Sequence, residues 1–177
     1  DVYFKETLQF FGSSTVSISK TSFIQTGNRD RSLRNRPNIT FEQVERLEGM
    51  MQIPVTISPL NGFDIGKVVF QDRETEGNVQ VLGSDENMLA NFSYEVDTGR
   101  FFTSDDVQYA RPVCVLGSNL VGILFPNENP IKKIVKANGR RCEVIGTLKE
   151  KGNIFGFSQD DRIFIPITRG FVVYGPS

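Results

Sequence analysis

The sequence predicts an α+β fold, and three observations predict it. Short runs that alternate apolar and polar residues recur along the chain, most clearly in "KKIVKANGRRCEVIGTL" (132–148). Helical patterns are few, short and marked by capping residues. A strand followed at once by a helix is written into "VCVLGSNLVGILFPNENP" (113–130), where an apolar strand ends at Gly117 and Pro126 stops the helix. No repeat of fixed period and no low-complexity tract interrupts this pattern.

In chain order, "STVSISKTSFI" (14–24) alternates well enough for a strand. "QTGNRDRSLRNRPN" (25–38) has four arginines and almost nothing apolar, the composition of a long solvated loop. In "ITFEQVERLEGM", Thr40 and Gln43 have the spacing of a capping box, and Phe41, Val44 and Leu47 form one apolar stripe. "PVTISPLNG" and "GKVVFQ" read as strands split by an Asn61-Gly62 turn, and "GNVQVLG" as a third. Ser84 is expected to cap a short helix in "DENMLANF", and "TSDDVQYA" reads as another helical turn or two. Asn138-Gly139 is the favoured type I′ pair for a hairpin, "EKGNIFGFSQDD" a glycine-bearing loop, and "RIFIPIT" a closing strand.

Composition closes off several classes of function. The 177 residues are 38% hydrophobic and 23% charged, which fits a globular core. A net charge of -1 gives no global field to draw the chain to nucleic acid. The longest apolar run, Leu120 to Phe125, is far short of a membrane span. The opening "DVYFKETLQFFGSS" carries no signal-peptide pattern and reads as the middle of a longer chain. There is no histidine, the commonest general base and neutral metal ligand. Cys114 and Cys142 are too few for a structural zinc site. They read as two buried free thiols, with a disulfide as the alternative, which would need an oxidising compartment.

The motifs fail as chemistry. Gly117 and Gly122 have the spacing of a phosphate loop, but Ile123 and Leu124 stand in the Lys and Ser/Thr places. Gly117 directly precedes Ser118, so no nucleophile elbow forms, and Ser118 reads as a helix cap. Asp105-Asp106 and Asp160-Asp161 are candidates for acid–base or cation chemistry. The first pair also suits a helix start and the second a solvated loop before Arg162, and these are the favoured readings. No catalytic, metal or cofactor residue is therefore assigned. Two partner-docking candidates remain: Arg29, Arg31, Arg34 and Arg36 in the basic loop, and Phe155 and Phe157 in the glycine-bearing loop.

The segment from "GRFFTSDDVQYARPVCVLG" through "RRCEVIGTLKEKG", followed by "SQDDRIFIPIT", resembles the extracytoplasmic core domain of MacB-type ABC transporter permeases. Gly99, Arg100 and Phe102 match a Gly-Arg-x-Phe start. Val115-Leu116-Gly117 precede a helix ending Leu124-Phe125, and Pro130-Ile131 precede a hairpin ending Val144-Ile145-Gly146. The likeness is specific over about 95–168 and looser over 1–94. Lys132 stands where the family commonly has glycine, and the two cysteines stand where it has plain apolar residues.

The resemblance implies a two-lobed domain, an α/β lobe near the membrane and a β-rich second lobe. Residues 1–84 would be the first part of the membrane-proximal, porter-like lobe and 85–177 the β-rich, sabre-like lobe. The transmembrane helices and the second half of the first lobe would lie outside this piece. It further implies a non-catalytic domain at the periplasmic face of the bacterial cytoplasmic membrane. An ATPase subunit or domain would drive it through the membrane part, within a homodimer, with a periplasmic adaptor protein as possible partner and no cofactor or nucleic acid. Relatives that release lipoproteins or regulate cell-wall hydrolases share the pattern, so that role stays open. A free-standing extracytoplasmic binding module is the other alternative, and an aspartate hydrolase the third.

Overall fold

The structure is a computed structural model and describes residues 15–18, 39–154 and 157–175. The chain divides into two compact units at Ile57/Ser58.

In the first unit, residues 15–18 have no regular secondary structure, and the rest of the strand expected over 14–24 lies outside the described residues. Helix α1 (Phe41–Met50) begins as its sequence predicts. The Thr40 hydroxyl accepts from the Gln43 amide, and the Gln43 side chain accepts from the Thr40 amide. Val44 is half-buried and Leu47 exposed.

The second unit is an α+β arrangement. Its first strands are β1 (Leu60–Gly66), β2 (Val68–Phe70), β3 (Arg73–Glu74) and β4 (Val79–Ser84). Helix α2 (Met88–Phe92), β5 (Val96–Gly99), α3 (Ser104–Gln108), β6 (Val113–Leu116) and α4 (Ser118–Leu124) follow. Then come β7 (Ile134–Ala137), β8 (Arg140–Leu148), the small pair β9 (Asn153–Ile154) and β10 (Phe157–Ser158), β11 (Arg162–Pro166) and α5 (Ile167–Tyr174). Nine of the described strands make one sheet in the order β1-β4-β11-β6-β8-β7-β2-β3, with β5 also on β8. That sheet runs through position 84/85, where the sequence suggests a lobe boundary.

Strand β8 organises the sheet. One edge pairs in parallel with β6; the other is shared, with β7 along Arg140–Glu143 and β5 along Gly146–Leu148. The β7–β8 hairpin turns at Asn138 (φ 46°) and Gly139 (φ 79°), both in the left-handed region that a type I′ turn requires. Alternation along β4, β6 and β11 sends side chains to two cores. Val81, Cys114, Leu116, Ile163 and Ile165 pack beneath Leu120 and Leu124 of α4. Leu82, Val115 and Phe164 face the other way, against Met88, Phe101 and Phe102.

Four local expectations are corrected. Asn61-Gly62 is not a turn: neither residue has positive φ, and both pair with β4 inside β1, beside a bulge at Phe63. Ser84 is the buried last residue of β4 and donates to the Pro59 carbonyl, so Asn87 holds the cap position of α2, without a side-chain cap bond. Ser118 is the first helical residue rather than the cap, and its buried hydroxyl has no hydrogen-bond partner among the described residues. Gly117 holds the cap position because a Cβ there would lie 2.3 Å from the Asp160 carbonyl oxygen. The closing strand ends at Pro166, and α5 follows. Its Tyr174 stacks on Phe63 at 5.7 Å and its Phe171 meets the same ring edge-on at 5.3 Å.

Candidate functional site

The two carboxylate pairs are the places where chemistry would be expected, and both are structural anchors. Thr103 caps α3, its hydroxyl accepting from the Asp106 amide at 3.3 Å. The reciprocal half of the box turns Asp106 inward, where it is 0% exposed. Its carboxylate accepts from the Thr103 amide and hydroxyl, each at 3.0 Å. It also pairs with Arg100 at 2.5 Å and Arg111 at 3.3 Å. Burial pushes its pKa up, but the bonds from Arg100 and Thr103 outweigh this and bring it to about 2. A carboxylate so fully engaged has no free lone pair for a proton or a cation. Its neighbour Asp105 is exposed on the helix start.

Asp160 is buried, which corrects the solvated-loop reading. It accepts from the amides of Lys151 at 2.8 Å and Gly152 at 2.7 Å, closing the base of the β9–β10 hairpin. The Ser158 hydroxyl accepts from the amides of Asp160 and Asp161, each at 3.2 Å. The Asp161 carboxylate receives the Asn119 side-chain amide at 3.1 Å.

Beside Asp160 lie Lys151, Tyr94 and Arg162. Arg162 donates to the Tyr94 hydroxyl at 2.8 Å, while burial raises the tyrosine pKa. The Lys151 ammonium sits 4.0 Å from the Tyr94 ring centre and donates to the Phe92 carbonyl. Burial, and then the Arg162 charge, lower its pKa to about 8 against the pull of Asp160. Tyr94 and Lys151 line a shallow depression with Ser93, Glu95, Lys149 and Glu150. None is positioned as a nucleophile with a base at its side.

Cys114 and Cys142 are free and buried, on neighbouring strands. Burial, and then hydrogen bonding with Cys142, push the Cys114 thiol well up. No group of three or more His, Cys, Asp or Glu side chains gathers as a metal site among the described residues. The docking candidates Arg29, Arg31, Arg34, Arg36 and Phe155 lie outside the described residues, and of Phe157 only the backbone, in β10, is described. The Arg100–Asp106–Arg111 clamp is what sequence reasoning missed. Its available signal was the T-x-x-D box at 103–106 with an arginine on either side.

The glycines of the motifs are explained by contact. Gly146, in the middle of β8, leaves no room for a Cβ, which would sit 2.1 Å from the Arg100 carbonyl oxygen. The sequence profile of the MacB-like periplasmic core domain matches residues 3–175. This chain belongs to that family. The "Macrolide export ATP-binding/permease protein MacB" of Rhodopirellula baltica is 30% identical over 93% of the chain, which covers 23% of that protein. The protein of the same description from Marinobacter nauticus is 38% identical over 73% of the chain, covering 19% of its own length.

Among solved structures, the periplasmic region of MacB from Actinobacillus actinomycetemcomitans has the same fold. Its TM-score is 0.70 at 22% identity, over 86% of this chain and 66% of that one. The extracellular domain of YknZ from Gram-positive bacteria superposes with a TM-score of 0.62 at 22% identity, over 78% of this chain and 67% of that one. The chain thus spans about a quarter of the length of the curated relatives it matches. It is a MacB-like periplasmic core domain, and the relatives that carry this domain are ABC transporter permeases, a transporter family. No helix among the described residues is long and apolar enough to cross a membrane.

Proposed function

We propose that this domain is a non-catalytic transmitter on the periplasmic face of the cytoplasmic membrane, coupling ATP-driven movement of a permease dimer to substrate export and docking an adaptor protein. The observation that carries this reading is the block of β4, β11, β6 and the later half of β8, buried on both faces, with Asp106 and Asp160 used as internal anchors. A sheet covered on both sides resists bending and carries a displacement from one end to the other. Docking engages Arg29, Arg31, Arg34 and Arg36 of the basic stretch and Phe155 and Phe157 of the glycine-bearing stretch.

The test is made in the whole permease, reconstituted with its ATPase in proteoliposomes. Phe164→Ala softens the sheet; Val172→Ala, exposed on α5, is the control. Retained ATP hydrolysis with reduced export in the first variant only, at equal protein abundance, supports transmission. Equal export by both variants sinks it. For docking, Arg→Ser at all four loop positions is expected to abolish adaptor capture in a pull-down, and undiminished capture removes that part.

A further inference from the structure

Among the described residues, one face of the sheet is left open where the β7–β8 hairpin leaves the double core. Cross-strand pairing places Val69, Lys136 and Arg141 in one row on that face, since Val69 is opposite Lys136 and Lys136 opposite Arg141. Ile134 and Glu143 form the next row, Ile134 being 55% exposed. The reverse face of the same strands is buried through Val68, Val135, Ala137 and Cys142.

Two basic residues directly opposite each other repel, and such pairs weaken a sheet. Neither Lys136 nor Arg141 has an ion-pair or hydrogen-bond partner for its charged end among the described residues. The other charges on this face are Glu143 and, at its margin, Glu74, which pairs with Lys67 at 2.6 Å. No ion pair offsets the repulsion among the described residues, and the exposed Ile134 and half-buried Val69 lie beside it.

We propose that this open face docks an acidic segment of a partner protein, its carboxylates on Lys136 and Arg141 and its apolar side chains on Ile134 and Val69. This deepens the docking part of the reading above by naming a second surface. A protein segment fits better than an anionic membrane. Membrane attachment by charge draws on clusters of about four to eight basic residues, whereas this face has two, with Glu143 beside them.

The experiment measures fluorescence anisotropy of a labelled peptide of Glu-Leu-Asp-Gly repeats with this chain, against the same peptide with lysine for both acids and against phosphatidylglycerol vesicles. Binding of the acidic peptide alone is expected, weakening with salt, and weakening about tenfold in Lys136→Glu and in Arg141→Glu. Lys136→Glu replaces the repulsive pair by an attractive one, so its Tm should hold or rise, which separates lost docking from lost folding. Unchanged peptide binding in folded variants overturns the proposal. So does absence of peptide binding, equal binding of the lysine peptide, or vesicle binding without peptide binding. Export coupling in the full permease is read without this peptide, so failure here leaves the transmission reading standing.

Discussion

The two halves of strand β8 belong to different kinds of structure. From Arg140 to Glu143 three residues are open to solvent and only Cys142 is buried; from Val144 to Leu148 every residue is buried. The first half lies with β7, β2 and β3 over a single core. The second lies among β6, β5 and, one strand on, β11, where side chains meet packing on both faces. The change is made by what covers the sheet, since α2, Phe101 and Phe102 close the second face only over the later half. One strand thus joins a stiff block to a ribbon with a readable surface.

The largest contrast is in the cost of truncation. Phe164, buried on β11 against Tyr94, should lose about 3–5 kcal/mol as alanine. Ile134→Ala on the open face should change stability by no more than about 0.5 kcal/mol. Urea unfolding of both variants measures the difference, and similar midpoints would erase the distinction between block and ribbon. Next in size is Gly146→Ala. Its Cβ would meet the Arg100 backbone, which cannot rotate away, so a cost of about 2–3 kcal/mol is expected from overpacking in the covered half. A near-neutral result would show that β5 and β8 separate easily.

Asp106 sharpens the comparison through pH. Its folded pKa of about 2 lies below the ordinary value of 3.8. Its contribution is therefore complete above the unfolded pKa and is lost as pH falls through the folded one. With Arg100 and Arg111 half in solvent, the contribution is about 1–2 kcal/mol. Stability of the wild-type chain should fall between about pH 4 and pH 2 more steeply than that of Asp106→Asn. Parallel pH profiles would show that the clamp contributes nothing.

What the sequence made legible follows the same division. The Asn138-Gly139 hairpin and the Thr40 capping box are specified by residues a few positions apart, so local chemistry decides them. The passage of β1 through Asn61-Gly62 is decided by pairing with β4, some twenty residues away, and overrides a turn-forming dipeptide. Helix α5, rich in β-branched and aromatic residues, is held by Phe63 and by the Thr168 hydroxyl bond to the Val107 carbonyl. Asp160 looked solvated because the amides it binds belong to residues nine and eight positions earlier. The docking candidates from the sequence lie outside the described residues, while the open face needed strand register to appear.

The smallest expected effect has the opposite sign and falls at the boundary between the halves. Lys132 has φ 67°, a left-handed conformation, and its amide donates to the Val144 carbonyl at 2.8 Å. A side chain in that conformation costs about 1–2 kcal/mol, and glycine adopts it freely. Glycine gives back about 0.5–1 kcal/mol through the greater freedom of the unfolded chain. Lys132 is exposed and holds no ion pair among the described residues, so its side chain offers little to offset the difference. Lys132→Gly should therefore raise stability by about 0.5–1 kcal/mol. Thermal and urea unfolding would both register the gain. A loss instead would mean that the Lys132 side chain makes a favourable contact in the ribbon, and that the sharp change along β8 begins before Val144.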